Sequence, residues 1–492
     1  MIYIFISAIL FAVASYYTMP WINFIEANVA ILMLVSAMRR SQDKTVLKLY
    51  IWGIIFSITA FYWIPETLQL FGDFDNVVSY ALFAAYCLIS SLQFVVCGLL
   101  YKLLSRSAFL RGTLLSFPLA WFLSEHFFPR LFPWYLANVH IVWNNFAALV
   151  EYLPLSVLGF VLLWWAEVIL LSINKLKEGK GALTIRKNKG LHVIDFDRLI
   201  TIAPILCFVW LIIGYLLNEN TEKSFEHADQ IKVALLQGNV DALKQNNDQE
   251  GFSVRRYGNL LAEAKQNKVD VAFLPESAIP IWIPETLGSV ADTKFSVIGN
   301  AQLPVLYGGA AYREAGAQEP KKFNSVVGVD SSGRVAGMYH KKVLMPFGEY
   351  LPFEKIFPAL RNFSPLSGDL SAGDLDKPIV LDVLSQTTGQ TRAVAFGILV
   401  CYEDLLSHLA KDMKNRGAEV LVNFTNDIWY GRSYAARQHN LLAAWRAVET
   451  RRYLLRVTNT GLTTIIDPFG TIIGELSEFD EGIMIGDVAV IK

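Results

Sequence analysis

Up to about residue 217 the chain is a series of long apolar runs separated by short polar loops. Beyond about residue 225 short apolar runs alternate with polar ones. The long runs fall at roughly 2–18, 22–38, 49–65, 77–100, 113–128, 153–173 and 199–217. A bilayer-spanning helix needs about 20 apolar residues, with a range of about 17–25. The pattern therefore predicts a polytopic membrane domain of about seven helices. The run at 113–128 is short and needs its aromatic flank, Phe127 to Trp134, to complete it. The first run contains Ala12-Val13-Ala14, a sequence of the kind cleaved after leader peptides. No basic segment precedes it and a second apolar run follows at once, which predicts a retained helix.

The second half predicts short strands: Ile231 to Leu236, Val269 to Leu274, Pro304 to Tyr307, Asn324 to Val329, Arg392 to Leu399, Val420 to Asn423, Tyr453 to Thr458 and Thr463 to Ile466. Helical stretches lie between some of them, at Val254 to Gln266 and Tyr434 to Glu449. Strands alternating with helices predict a layered α/β domain. The expected division is a membrane domain at 1–217, a linker at 218–228 and a catalytic domain at 229–492.

Composition sharpens this division. The chain has 492 residues, 53% of them hydrophobic. That exceeds the about 45–50% usual in soluble globules, and the excess lies in the first half. A formal net charge of -1 argues against nucleic acid as the main partner. Lys and Arg in the loops predict orientation, because cytoplasmic loops carry the excess of both. Basic loops follow runs two (Arg39, Arg40, Lys44, Lys48), four (Lys102, Arg106, Arg111) and six (Lys175, Lys177, Lys180, Arg186, Lys187, Lys189, Arg198). The loop after run three carries Glu66, Asp73 and Asp75 instead. The N-terminus is thus expected inside, and the seventh run delivers the polar half outside, which in a bacterium is the periplasmic face. The stretch 129–152, with Trp134, Tyr135, His140 and Trp143, reads either as an interfacial aromatic belt or as a re-entrant wall of a lipid cavity.

Three segments of the polar half carry chemistry. Leu274-Pro275-Glu276-Ser277 closes an apolar strand, so Glu276 is either a helix-cap neighbour or a base at a strand end. Tyr339 to Tyr350 contains Lys341, Lys342 and the shaped turn Pro346-Phe347-Gly348-Glu349. Val394 to Glu403 is an apolar strand that stops at Cys401, followed by Tyr402, Glu403 and Asp404. Of four cysteines, Cys87, Cys97 and Cys207 lie in apolar runs, and no CxxC pair exists. A thiol attacks a carbonyl as the thiolate. A carboxylate can take its proton, and an ammonium can stabilise the oxyanion. Cys, Glu and Lys supply these three roles. The seven histidines form no HExxH-like pair and read as surface or capping residues, so no metal and no cofactor is expected.

The polar half resembles the nitrilase, or carbon-nitrogen hydrolase, superfamily, and the whole chain resembles its membrane-bound apolipoprotein N-acyltransferase family. The resemblance rests on Gln237-Gly238-Asn239, Pro275-Glu276, Tyr339-x-Lys341, Leu344-x-Pro346-Phe347-Gly348-Glu349 and Cys401-Tyr402-Glu403. It continues through Asn423 to Gly431, Gln438-His439 and Arg446 to Gly461. It implies an αββα sandwich with a Cys-Glu-Lys triad of Cys401, Glu276 and Lys341. Glu276 is then the general base and later the acid, Lys341 the oxyanion stabiliser and Cys401 the thioester carrier. Glu349 matches the family's second glutamate, and Tyr402 and Glu403 match residues beside the nucleophile. The implied reaction moves an acyl chain from a phospholipid, usually phosphatidylethanolamine, to the α-amine of a diacylglyceryl-cysteine at an apolipoprotein's N-terminus. The implied location is the bacterial inner membrane, with the bilayer itself as a partner.

Two features depart from the family. It usually ends in a further membrane helix, whereas Glu481 to Val488 here reads as a strand. It often carries a Trp soon after Gly238-Asn239, near the place of Gln245. Apolar residues flank the polar motifs: Ile279, Ile281, Trp282 and Ile283; Leu351, Phe353, Ile356 and Phe357; Trp429 and Tyr430. They read either as core or as arms that gate a lipid entrance, with Trp282, Phe357, Trp429, Tyr430 and Trp134 as the gating or substrate-binding candidates. The competing functions are a membrane-tethered amidase, an acyltransferase with another amine acceptor, and a lipid-binding protein or transporter. A transporter would place ionisable residues within its spans. Few are visible beyond Glu125 and Glu167, both read near predicted ends.

Overall fold

In the computed structural model, residues 1–40, 44–178, 196–240, 249–290, 298, 301–315, 318–352, 354–358, 361, 368–374 and 377–491 are described. Gln245, Phe353, Lys180, Arg186, Lys187 and Lys189 lie outside them. Two units result: Met1–Pro65 with Val77–Glu219, and Glu66–Asn76 with Asn220–Lys492.

Each apolar run of the first half forms helix. The helices are Ile2–Ala14, Pro20–Arg40, Thr45–Ala60, Asn76–Ser90 continuing as Leu92–Leu104, Ser116–Phe127, Leu155–Glu178 and Phe196–Phe225. Four are long and apolar enough to cross a membrane among the described residues, or five if the bent pair Thr45–Ala60 and Ile64–Leu70 is one span. Ile2–Ala14 and Ser116–Phe127, with 13 and 12 residues, are too short to cross about 30 Å alone at about 1.5 Å per residue. This is a membrane protein, and about four to five of its described helices are long and apolar enough to cross by themselves. Phe11, Phe56, Phe94 and Trp121 pack around Trp52 and fill the bundle centre. Trp52 Nε1 donates to Ser7 Oγ (3.0 Å), which donates to Ala30 O (2.7 Å), tying three helices together. Glu167 lies within its helix rather than near an end, where Arg39 pairs with it at 3.4 Å. In the stretch after Phe127, Trp134, His140 and Phe146 are buried, Tyr135 and Trp143 are half-buried, and Phe146 packs on Trp143, Trp165 and Trp210.

The segment 218–228 is helical up to Phe225, and the first strand starts at Asp229. The strands are β1 (Asp229–Gln237), β2 (Val271–Pro284), β3 (Val305–Ala315), β4 (Gln318–Val329), β5 (Val335–His340) and β6 (Ile379–Leu384). They continue as β7 (Thr391–Val400), β8 (Val420–Thr425), β9 (Leu454–Thr458), β10 (Thr463–Ile466), β11 (Ile472–Leu476) and β12 (Gly482–Val490). Two six-stranded sheets form, in the orders β12-β1-β2-β3-β4-β5 and β11-β10-β9-β8-β7-β6. Each has three parallel central strands and antiparallel flanks. The tail after Glu481 is strand β12, as its sequence predicts, and it closes the first sheet beside β1.

Alternation decides the layers. On β2, Ala272 and Leu274 face helix Gln249–Gln266 through Tyr257, Leu260 and Leu261. Phe273 points the other way, onto Phe396 and Phe424 of the second sheet. Helices Ser407–Asn415 and Ala435–Thr450 belong to the second sheet's side, and the last is buried nearly throughout. The unit is an αββα sandwich.

One irregularity in β2 matters. Its register against β3 jumps between Leu274 and Ile279, so the chain bulges at Pro275 to Ala278. Ser277 there has φ 54°, a conformation seldom adopted by residues other than glycine. Gly308 of β3 faces the bulge, where a Cβ would sit 2.4 Å from Pro275 O and 2.5 Å from Glu276 Cα. Gly308→Ala is therefore expected to cost about 1–3 kcal/mol by overpacking. Gly337→Ala, whose Cβ would meet Ile379 at an ordinary 3.7 Å, is expected to be neutral or slightly stabilising. Thermal unfolding of the two purified variants checks the contrast.

Candidate active site

Three structural accidents bring the singled-out residues together. Glu276 lies in the β2 bulge, so it is neither a helix-cap neighbour nor a strand end. Lys341 is the residue after β5, and Cys401 the residue after β7. Cys401 opens a tight turn with φ 50°, and Phe347 in the intervening loop has φ 65°. Strained backbone of this kind persists only where the surroundings hold it, and it clusters at functional sites.

Lys341 is 1% exposed. Its ammonium donates to Glu349 Oε2 at 2.8 Å and lies 4.0 Å from Glu276 Oε1. Asn324 of β4 bridges the two carboxylates, donating from Nδ2 to Glu276 Oε1 (2.6 Å) and to Glu349 Oε1 (2.9 Å). Met345 N also donates to Glu349 Oε2 at 2.8 Å. Glu276 Oε2 is buried and accepts no hydrogen bond among the described residues. Burial raises the Glu276 pKa, with Lys341 opposing and Glu349 adding to the rise. Burial works against the Lys341 ammonium, but Cys401, Glu349 and Glu276 together outweigh it and raise its pKa. Burial and then Glu276 push the Cys401 thiol up, while Lys341 and a hydrogen bond with the Thr425 side chain pull it down; the net direction is up. The resting thiol is protonated, with a carboxylate and an ammonium beside it.

Glu403 sets the spacing. Its buried carboxylate accepts from Lys342 N (2.7 Å), Val343 N (3.0 Å), Val400 N (2.8 Å) and Tyr339 OH (3.0 Å). It joins the loop after Lys341 to the strand end before Cys401. Tyr402 stands half-buried beside it. Asn423 Nδ2 donates to Cys401 O at 3.0 Å and holds the turn from β8.

Beneath lies a buried ionic group that sequence reading missed. Arg456 is 0% exposed and donates to Asp427 Oδ2 (3.0 Å) and Asp404 Oδ2 (3.4 Å). His439 bridges Asp404 Oδ1 (2.7 Å) and Asp427 Oδ1 (3.2 Å). Thr425 Oγ1 donates to Asp427 Oδ1 at 3.2 Å, linking the group to the thiol. His439 is thus a buried ion-pair partner rather than a surface residue, because two carboxylates and an arginine need a bridging donor there. Its position in the Gln438-His439 motif was the available signal. Gly461 belongs to the same arrangement, since a Cβ there would sit 2.3 Å from Asp427 Oδ2.

The Gln237-Gly238-Asn239 and Thr458-to-Gly461 motifs clasp each other. Asn459 Oδ1 accepts from Val240 N (2.9 Å), Asn459 Nδ2 donates to Val240 O (2.8 Å), and Thr463 Oγ1 donates to Gln237 Oε1 (2.6 Å). They join the two sheets and bring no group to the thiol.

The apolar flanks divide. Ile279, Ile283 and Leu351 are buried core. Trp282 is 47% and Phe357 61% exposed, and Trp429 is exposed with its carbonyl accepting from Thr67 Oγ1 at 2.8 Å. Tyr430 is half-buried, edge-on to His439. Trp134 is buried in the helical unit and lines a cavity of about 40 Å³ with Glu125 and Arg130.

Comparison with known proteins agrees with this architecture. A family model for carbon-nitrogen hydrolase matches residues 232–490. The chain belongs to the carbon-nitrogen hydrolase family. Within that family its first half is distinctive, because residues 7–168 match the apolipoprotein N-acyltransferase N-terminal domain. The chain is similar to the apolipoprotein N-acyltransferase of Geobacter metallireducens, 29% identical over 94% of this chain and 84% of that one. It is similar to apolipoprotein N-acyltransferase 1 of Leptospira interrogans, 27% identical over 89% and 82%. Among carbon-nitrogen hydrolase structures, that of the Helicobacter pylori enzyme covers 54% of this chain and 90% of its own at 16% identity and a TM-score of 0.38.

Two measurements test the electrostatics. The pH profile of Cys401 alkylation by iodoacetamide is expected to show an apparent pKa above the ordinary thiol value. Glu276→Gln should lower it by removing a neighbouring anion, and Lys341→Met should raise it by removing a cation. Profiles that both variants leave in place would mean that the three groups do not interact. The second concerns Asp427. Burial raises its pKa, but Arg456 and then His439 outweigh this and hold it down to about 2. Against an unfolded value of about 3.9, Asp427 stabilises the fold above that pH and loses the contribution as pH falls toward 2. Arg456→Gln should cost about 3–5 kcal/mol by leaving buried charge unpaired. It should also start acid unfolding at higher pH, read from tryptophan fluorescence.

Proposed function

We propose that this chain transfers an acyl chain from a membrane phospholipid, through a thioester on Cys401, to the α-amine of the N-terminal diacylglyceryl-cysteine of apolipoproteins. The observation that carries the reading is a Lys341 ammonium and two carboxylates gathered at Cys401, in a chain whose first half matches an apolipoprotein N-acyltransferase domain. Phosphatidylethanolamine is the proposed donor.

Glu276 takes the Cys401 proton on Oε2, the oxygen that accepts no other bond. The thiolate attacks the ester carbonyl, and the oxyanion forms beside the Lys341 ammonium, which Glu349 holds in place. Collapse breaks the ester C–O bond, Glu276 returns the proton to the departing oxygen, and a lysophospholipid leaves. The acceptor amine then attacks the thioester, Glu276 takes the amine's proton, and the C–S bond breaks to give an amide and the restored thiol. Glu349, Tyr402 and Glu403 act as supporting residues. Trp282, Phe357, Trp429 and Tyr430 are proposed to meet acyl chains or gate their entry, a role that the exposure of the first three supports. Trp134 is proposed to act from within the helical unit.

Both substrates are lipids, and taking an acyl chain out of the bilayer costs about 0.8 kcal/mol per CH₂. Helices in the same chain remove that cost. The basic loops after runs two, four and six support a cytoplasmic N-terminus and a catalytic unit on the periplasmic side of the inner membrane.

The test is mass spectrometry of the purified chain after incubation with a phosphatidylethanolamine of defined acyl chains, beside Cys401→Ala and Cys401→Ser. The expected result is a hydroxylamine-sensitive acyl adduct on Cys401, discharged by a diacylglyceryl-cysteinyl peptide and absent from Cys401→Ala. An adduct discharged only by water or by another amine would overturn the acceptor assignment. A folded chain whose Cys401 is alkylated but never acylated would point to the amidase reading.

A further inference from the structure

We infer that the helical unit carries a binding site for the phosphate of an anionic lipid headgroup, separate from the acyl-transfer chemistry. A cavity of about 490 Å³ opens where helix Leu92–Leu104 ends and helix Thr45–Ala60 begins. Lys44, Lys102, Arg106 and Arg111 line it, with Tyr101 and Ser105 between them, and no acidic residue takes part among the described residues.

The four cations are exposed side chains that line one recess, Lys102 in the last turn of helix Leu92–Leu104 and Arg106 just beyond its end. No ion pair joins any of the four to a carboxylate among the described residues. Loop topology accounts for basic residues one by one. Helix ends account for Lys102 and Arg111, each in the last turn of a helix. Neither accounts for their lining one recess. Helix Thr45–Ala60 also enters the cavity wall through Thr45 at its first turn, with no side-chain cap and no acidic residue there. Its N-terminal partial charge has the same sign as the four cations and adds to the pull on an anion.

The neighbouring surface decides for a lipid. Leu99 and Leu103, 56% exposed each, lie on the helix that carries Lys102, and Phe109 is exposed next to Arg111. A phosphate in the recess leaves acyl chains to run over these apolar residues. The ammonium of a zwitterionic headgroup would meet the same four cations and be repelled. The preferred ligand is therefore net-negative, of the phosphatidylglycerol type, and distinct from the proposed acyl donor. Basic recesses between membrane helices are suited to such headgroups.

The test is native mass spectrometry of the full chain in neutral detergent, titrated separately with dioleoyl phosphatidylglycerol, dioleoyl phosphatidylethanolamine and inorganic phosphate. Phosphatidylglycerol adducts are expected to survive activation that strips phosphatidylethanolamine. In K102Q/R106Q/R111Q their dissociation constant should rise about tenfold or more. Single Arg106→Gln should give a smaller rise in the same direction and serves if the triple variant does not fold. Equal retention of the two lipids would overturn the site, as would unchanged phosphatidylglycerol affinity in a folded variant. Inorganic phosphate that competes with phosphatidylglycerol, and binds as tightly alone, would overturn the lipid as its source.

Discussion

Burying the ammonium of Lys341 is the constraint around which the catalytic unit is organised. An isolated charge moved into the interior costs several kcal/mol even after relaxation, and the cost is met only by close partners with their own hydrogen bonds filled. Here Glu349 provides the direct partner at 2.8 Å, and Asn324 and Met345 fill that carboxylate's remaining positions. The groups around it come from three elements: Asn324 from β4, Glu349 and Met345 from the loop after β5, and Glu276 from the bulge of β2. The ion cluster therefore fixes the relative positions of three segments whose own backbone pairing would leave some freedom. Gly308 is part of the same requirement, since β3 must approach the bulge to within a distance that excludes a side chain.

Cys401 is held by a second set of groups with its own logic. Glu403 uses backbone N–H donors from both sides of the site, so the Lys341 loop and the end of β7 cannot separate without unpairing a buried carboxylate. The Asp404–Asp427–His439–Arg456 group secures the other side through Thr425, and Asn423 separately holds the Cys401 carbonyl. A buried ionic network is a poor source of net stability but penalises partial rupture heavily. It therefore suits the support of a residue held at φ 50°.

The same physics explains which parts of this arrangement are legible in sequence. Central strands such as β1, β7 and β8 are buried on both faces, so they appear as continuous apolar runs. The strands that sequence reading passes over are β5, β6 and β11, all at sheet edges. Ile379–Leu384 alternates buried and exposed along its length, and Ile472–Leu476 is exposed at every second position. One-sided burial leaves too few apolar residues in a short segment to mark it. Glu276, Lys341, Glu349, Cys401 and Glu403 stand out because polar groups interrupt or end apolar strands there. Asn324 does not, because it sits inside a strand whose pattern it barely disturbs. Asp404, Asp427, His439 and Arg456 are spread over some fifty residues, and only the fold makes them one group. In the helical half, apolarity reveals helices but not spans, since Ile2–Ala14 and Ser116–Phe127 are as apolar as their longer neighbours and too short to cross alone.

The directions of the three shifted groups favour one order of events. Burial raises the pKa of both Glu276 and Cys401, which resists charge on either; it works to lower that of Lys341, but the surrounding anions outweigh it and raise it. A thiol that stays protonated at rest is protected from oxidation and adventitious alkylation, since reactivity follows the thiolate. Removing its proton requires a base already in place and a cation to receive the charge that moves onto the carbonyl oxygen. In the proposed reaction Glu276 supplies the first with an oxygen left unbonded, and Lys341 supplies the second. Proton transfer and attack would then be coupled to the arrival of a carbonyl, because the negative charge is better stabilised on its oxygen near Lys341 than on the buried sulfur. Selectivity against idle reactions follows from the same burial that makes the site expensive to assemble.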